Sequence, residues 1–119
     1  MTEEQMWQAF CHTNHIDKNT RHDSWKFCGG GPLADELAHL VLAGVKTATA
    51  STKLAYEIAG DELPKVGTYS VILFDNGEAA CIVQNIKVSL TPFHQVSAAH
   101  ARKEGEDDRS LQKWRESHR

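Results

Sequence analysis

The tightest constraint on this chain is a short turn between two apolar runs. Tyr69, Val71 and Leu73 alternate with Ser70, Ile72 and Phe74. Both faces of that stretch are largely apolar, which predicts a strand buried on both sides. Asp75-Asn76-Gly77 follows, and Asn-Gly readily takes the positive φ angles of a type I′ turn. The return strand is expected from about Glu78 to Val88, through Ala80, Ile82, Val83, Ile86 and Val88. One β-hairpin is thereby specified, and other elements must cover it.

The covering elements are predicted to be helices. Residues 3 to about 12 place Met6, Trp7 and Phe10 along one side of an amphipathic helix. From Thr13 to Gly31 the chain is polar and ends in three consecutive glycines, which predicts a long loop of the kind that more often carries function than not. Pro32 suits a first helical turn; Ala34, Leu37, Leu40, Val41 and Val45 recur at helical spacing, and Gly44 is a natural stop. The next residues, KTATAS, read either as the start of a strand or as a turn, and TKLAYEIAG as a short helix ending at Gly60. HQVSAAHARKEG predicts a helix closed by Gly105, and Asp107 or Asp108 is expected to cap a last helix in RSLQKWRESHR. The class is α+β.

Composition narrows the function. A chain of 119 residues has room for one domain, and 40% hydrophobic with 24% charged residues is ordinary globular usage. A formal net charge of −3 argues against a broad basic face gripping duplex nucleic acid, while leaving room for a local basic pocket. The N-terminal MTEEQMWQAF lacks the layout of a signal peptide, and no apolar run reaches the roughly 20 residues of a membrane span. Three cysteines, Cys11, Cys28 and Cys81, are too few and odd in number for a disulfide framework, so the cytoplasm is the expected compartment. Cys11, His12, His15, His22 and Cys28 show none of the spacings of structural zinc sites. Neither a metal nor a cofactor is expected.

Several separated motifs occur in a telling order: ADELAHLVLAGVKTATAS, then LPKVGTYSVIL, then PFHQVSAAHARKEGEDDRSLQKWRESH. Together they resemble the ASCH domain family from about Trp25 to His118. The resemblance implies a small PUA-like β-barrel with flanking helices and a cleft beside the Lys-Thr segment. Residues 1–31 would form an N-terminal helix and glycine-rich loop, and 32–119 the barrel with its helices. Members of the family are linked to RNA binding, coactivator-type roles, ribonuclease activity and hydrolysis of the acetyl amide of N4-acetylcytidine. Members with this motif set continue past the Trp-Arg helix, whereas this sequence stops at Arg119. Two expectations follow: a truncated form, or a barrel incomplete at its C-terminus that a partner chain completes, an open edge then pairing two copies into a homodimer. The glycine-rich loop, WKFCGGG, also departs from the family in carrying Cys28 between Phe27 and Gly29.

The amidohydrolase branch of the family uses a lysine, a threonine three positions later and a glutamate in a motif beginning His-Ala. The resemblance carries these onto Lys46, Thr49 and Glu104. Their chemistry suffices for acyl transfer: Thr49 as nucleophile, Lys46 as its base, and Glu104 as proton donor or orienter. On a regular strand, positions 46 and 49 would point to opposite faces, so the assignment requires a helical turn, a bulge or an irregular junction there. The competing reading is a Lys-Glu ion pair beside a helix-terminal threonine. Trp25 and Phe27 can stack on a base or be pinned to the core. Ser51 and Tyr56 can contact a ribose or phosphate, or pack and cap. Arg109 can hold a phosphate, while Glu106, Asp107 and Asp108 read best as solvated charges at the start of the last helix. His100 reads as a buried or capping histidine, and Trp7, Trp25 and Trp114 as mostly core.

The expected function is hydrolysis directed at a nucleoside or RNA, on a small amide such as that of N4-acetylcytidine. The expected partners are a small nucleoside or single-stranded RNA, and no membrane. An RNA- or nucleotide-binding module without catalysis, a ribonuclease on single-stranded RNA, and an interaction scaffold are the alternatives.

Overall fold

The computed structural model describes residues 1–49, 58, 60, 65–106 and 109–117. Among them the chain is α+β, with a three-stranded sheet and four α-helices. Helix α1 spans Glu3–Asn14 and starts in a capping box, the Thr2 hydroxyl accepting from Gln5 N–H and the Gln5 side chain accepting from Thr2 N–H. Trp7 and Cys11, one turn apart, are its buried residues, with Met6 and Phe10 half-buried beside them. The predicted apolar side is the one that packs.

Strand β2 covers Tyr69–Leu73 and β3 covers Ala79–Gln84, paired antiparallel. Val71 packs into a cluster with Trp7, Cys11 and Ala79 on the α1 side. Its neighbour Ile72 packs into a second cluster with Phe27, Ala34, Leu37 and Ala38 on the side of α2, which spans Pro32–Leu42. Successive side chains of a strand point to opposite faces, so each of these two residues fills a different core. The hairpin turn differs from its sequence reading. A type I′ turn needs positive φ at both central residues, and here only Gly77 is left-handed, at 87°. The Phe74 carbonyl accepts from Gly77 N–H at 2.9 Å, and Phe74 N–H donates to the Glu78 carbonyl at 2.8 Å. This is a three-residue loop closed by a glycine bulge, and the pairing register shifts next to it, between Ile72 and Leu73.

The polar stretch predicted as a loop contains a third strand. β1, His22–Lys26, pairs parallel to β2 in the register His22↔Tyr69 to Lys26↔Leu73. Its sequence, HDSWK, is mostly polar because β1 is an edge strand of the described sheet, where charged residues are suited. Asp23 accepts a hydrogen bond from the buried Ser70 hydroxyl of β2. The following glycine-rich loop is tied to the hairpin: Asp75 Oδ1 accepts from Gly31 N–H at 2.6 Å, and Lys26 Nζ donates to the Asp75 carbonyl at 2.8 Å.

Three further boundaries move. β3 ends at Gln84, and Ile86, read as part of that strand, is 85% exposed. Helix α3 is Ala98–Glu104, starting at Ser97, whose hydroxyl accepts from His100 N–H, and ending at the left-handed Gly105 as expected. Helix α4 is Leu111–Ser117, and its first turn is capped by Ser110, whose hydroxyl accepts from Lys113 N–H at 3.2 Å. Asp107, Asp108 and most of the predicted TKLAYEIAG helix lie outside the described residues. No described helix is long and apolar enough to cross a membrane.

The three thiols differ sharply in surroundings. Burial pushes the Cys11 thiol up, with the charge of Asp17 adding to it, and burial alone pushes Cys81 up. Cys28 is exposed. A raised thiol pKa means less thiolate at neutral pH and slower attack on a disulfide. One rapid equivalent, from Cys28, is expected in an Ellman titration of the folded protein at pH 7.5, with the other two appearing on unfolding. Two rapid equivalents that persist in a Cys28→Ser variant would contradict this picture.

Candidate functional site

The Lys-Thr segment is neither strand nor helix. After α2 closes, the N–H groups of Val45 and Lys46 both donate to the Leu40 carbonyl at 3.1 Å. Thr47 and Ala48 then donate their N–H groups to the Lys103 carbonyl in the last turn of α3, at 2.5 and 3.0 Å. Residues 45–49 are thus strapped between the ends of two helices, an irregular junction of the kind the Lys46/Thr49 pairing requires. Close approach is possible because Gly105 carries no side chain: a Cβ there would lie 2.7 Å from the Val45 carbonyl oxygen.

This strapping drives the Lys46 side chain inward, leaving the residue 4% exposed. Its Nζ donates to the Ala48 carbonyl at 3.0 Å, to the Glu104 carbonyl at 3.3 Å and to Glu106 Oε2 at 3.1 Å. An ammonium has three N–H groups, and all three are matched. Glu104 Oε1 stands 3.8 Å away, and the Phe27 ring lies beneath the amine at 5.5 Å. Glu104 itself is 1% exposed. Its Oε2 accepts from the Trp114 indole N–H of α4 and lies 2.7 Å from His100 Nε2, one turn back along α3. Buried charges are tolerated when paired and hydrogen-bonded, and this carboxylate is both.

Lys46 and Glu104, 58 residues apart, are therefore brought together. Thr49 is placed differently. It is exposed, and among the described residues its hydroxyl has no hydrogen-bond partner. Phe27 is 6% exposed and spent on the core, and Trp25 is half-buried with its ring edge-on to Phe27 at 4.9 Å. Arg109 is exposed at a positive φ of 66° and donates from Nε to the Arg102 carbonyl at 3.2 Å. Ser51 and Tyr56 lie outside the described residues. Two surface concavities among the described residues, of about 470 Å³ beside Leu111 and Arg115 and about 360 Å³ beside Phe10 and Ile82, are lined by none of Lys46, Thr49 and Glu104.

Three members of the cluster escaped the sequence reading. Glu106 is an ion-pair partner of Lys46, not a solvated charge of the last helix. Trp114 is core, yet its indole N–H serves Glu104. His100 neither caps nor is buried: its side chain is 33% exposed and faces Glu104. The spacing of His100 and Glu104 at i and i+4 on a predicted helix was a usable clue. For Glu106 and Trp114 no local pattern pointed to Lys46 or Glu104.

No curated protein matches the chain significantly. Among solved structures, the chain is 34% identical to a protein of Enterococcus faecalis, covering 97% of this chain and 69% of that one with a TM-score of 0.85. An ASCH domain of Lactobacillus crispatus is 31% identical, over 96% of this chain and 76% of that one, with a TM-score of 0.81. The family model described as the ASCH domain matches residues 23–119, which include every described member of the Lys46 cluster. The chain belongs to the ASCH domain family.

Proposed function

We propose that this protein is a nucleoside- or RNA-directed hydrolase that cleaves the amide of an acylated cytosine such as N4-acetylcytidine. The three described strands would form part of a PUA-like barrel. The observation that carries the reading is the contrast within one short segment: a buried amine held against a buried carboxylate, and a free hydroxyl three residues on. Thr49 Oγ1 attacks the acyl carbon, the C–N bond breaks as a proton passes to the leaving exocyclic amine, and water then hydrolyses the acyl ester. Lys46 takes the hydroxyl proton, which first requires one of its three hydrogen bonds to open and its amine to be uncharged. Glu104, with both oxygens engaged and almost no exposure, suits the orienting role better than that of proton donor.

Thr49 offers the cleanest test, since an exposed hydroxyl without a described partner can be removed at little structural cost. The wild-type protein should release acetate from N4-acetylcytidine. Thr49→Ala should lose at least about a hundredfold of that rate while its stability changes by less than about 0.5 kcal/mol, and Thr49→Ser should keep part of the activity. Full turnover by Thr49→Ala, or none by the wild type, would rule the mechanism out. A second reading, a nucleotide- or single-stranded-RNA-binding module without catalysis, is favoured by the complete matching of the Lys46 ammonium. It predicts ligand binding without release of acetate.

A further inference from the structure

Breaking an amide C–N bond requires a proton for the departing amine. Lys46 is not its source, since its three N–H groups are taken and it receives the Thr49 proton in that step. Glu104 is buried, with Oε1 facing Lys46 and Oε2 accepting from Trp114. His100 is the member of the cluster that combines a transferable proton with access to water. Its side chain is 33% exposed, and its Nε2 stands 2.7 Å from Glu104 Oε2. Nδ1 has no hydrogen-bond partner among the described residues. A carboxylate beside one ring nitrogen fixes the tautomer and the ring orientation, and leaves the other nitrogen for chemistry. Trp114 completes the seat, its ring edge-on to the imidazole with centroids 6.0 Å apart. Thr49 belongs to the same corner of the molecule. Thr47 and Ala48 both donate to the Lys103 carbonyl, so Thr49 leaves this strap at the end of α3, the helix whose one face carries His100 and Glu104.

We propose that His100, oriented by Glu104, is the proton donor to the leaving amine and then the base for the water that cleaves the acyl ester. This rests on the hydrolase reading above. As imidazolium, His100 donates through both ring nitrogens. Thr49 Oγ1 bonds to the acyl carbon, the C–N bond breaks, and the Nδ1 proton passes to the exocyclic nitrogen, which departs as a neutral amine. A neutral imidazole remains, its Nε2–H still donated to Glu104. Water then attacks the ester carbonyl and gives one proton to Nδ1, while Lys46 returns its proton to Thr49 Oγ1 as the C–O bond breaks. Every group ends in its starting state, and the products are the amine and a carboxylic acid. The step uses one contact of Glu104, Oε2 to Nε2, and holds whatever else that carboxylate binds.

Two substrates with different leaving groups separate chemistry from structure. The amine of N4-acetylcytidine needs a proton to leave, whereas the phenolate of 4-nitrophenyl acetate does not. The measured quantity is kcat/KM, which covers the steps up to departure of the leaving group, counting only the part that Thr49→Ala abolishes. His100→Gln keeps a side-chain N–H for Glu104. It should lose about a hundredfold on N4-acetylcytidine yet stay within about threefold of the wild type on the ester. In His100→Ala, added imidazole should restore part of the amide turnover. A purely structural His100–Glu104 contact would instead lower both substrates together and give no rescue. Equal losses on the two substrates, or wild-type amide turnover by His100→Gln, would overturn the role of His100 and leave the hydrolase reading standing. Absence of Thr49-dependent acetate release by the wild type would end both.

Discussion

Lys46→Met is expected to cost about 3–5 kcal/mol of folding stability, because removing one partner of a buried ion pair strands the other charge. The other charge is Glu104, 1% exposed, whose Oε1 lies 3.8 Å from Lys46 Nζ. Glu106 would lose the same cation but can turn toward water, since its side chain is partly exposed. Small domains are stable by about 5–15 kcal/mol in total, so the variant should sit near the edge of folding. Urea denaturation measures this directly. A loss below about 1 kcal/mol would show that Lys46 does not balance Glu104. Adding Glu104→Leu to Lys46→Met should recover part of the loss, since the buried carboxylate is removed with its cation, though the Trp114 N–H then loses the Glu104 acceptor. The recovery, read as a double-mutant cycle, measures the coupling of the pair. One consequence concerns activity assays: loss of turnover in a Lys46 variant reports on folding as much as on chemistry, which is why Thr49 is the better probe of mechanism.

Gly105→Ala is expected to destabilise by about 2–5 kcal/mol, combining the cost of a left-handed L-residue with that of an overpacked contact. Gly105 has a φ of 70°, and an added Cβ would meet the Val45 carbonyl oxygen at 2.7 Å and Val45 Cγ1 at 2.8 Å. The carbonyl is backbone and cannot rotate away, so α3 and the 45–49 segment must separate. Gly44→Ala is the matched control. It has a similar φ of 76° with nothing within 4 Å of the added carbon, and should cost only about 1–2 kcal/mol. The difference between the two variants in thermal or urea unfolding isolates the close approach. Equal losses would mean that contact with Val45 contributes nothing. Because Val45 precedes Lys46, any separation here also withdraws the amine from Glu104, and ligand binding should weaken beyond what the stability loss accounts for.

Local periodicity carried much of the fold. The alternation over Tyr69–Leu73, the apolar side of α1, the Pro32 start of α2 and the glycine stop at Gly105 are each set by a few neighbouring residues, so their patterns could be read without knowing what they pack against. The family followed from motifs in order along the chain. The turn at Gly77 was placed correctly, but its type was not, since the bulge depends on how β2 and β3 register against each other.

What only the tertiary structure decided has a common physical cause. β1 is polar and reads as loop; it becomes a strand because its backbone finds partners along β2, 47 residues away in sequence. Lys46, Glu104, Glu106, His100 and Trp114 gain their meaning in the same way. Whether a charge is buried, and what compensates it, is a property of everything packed around it. The sequence by itself determined which residues carry an amine, a carboxylate or a hydroxyl, and which short stretches wind or extend. Packing of α3 and α4 around the 45–49 segment determined that the amine and one carboxylate lie inside, a second carboxylate at the rim and the hydroxyl in the open, because burial depends on contacts between distant segments that no local pattern encodes.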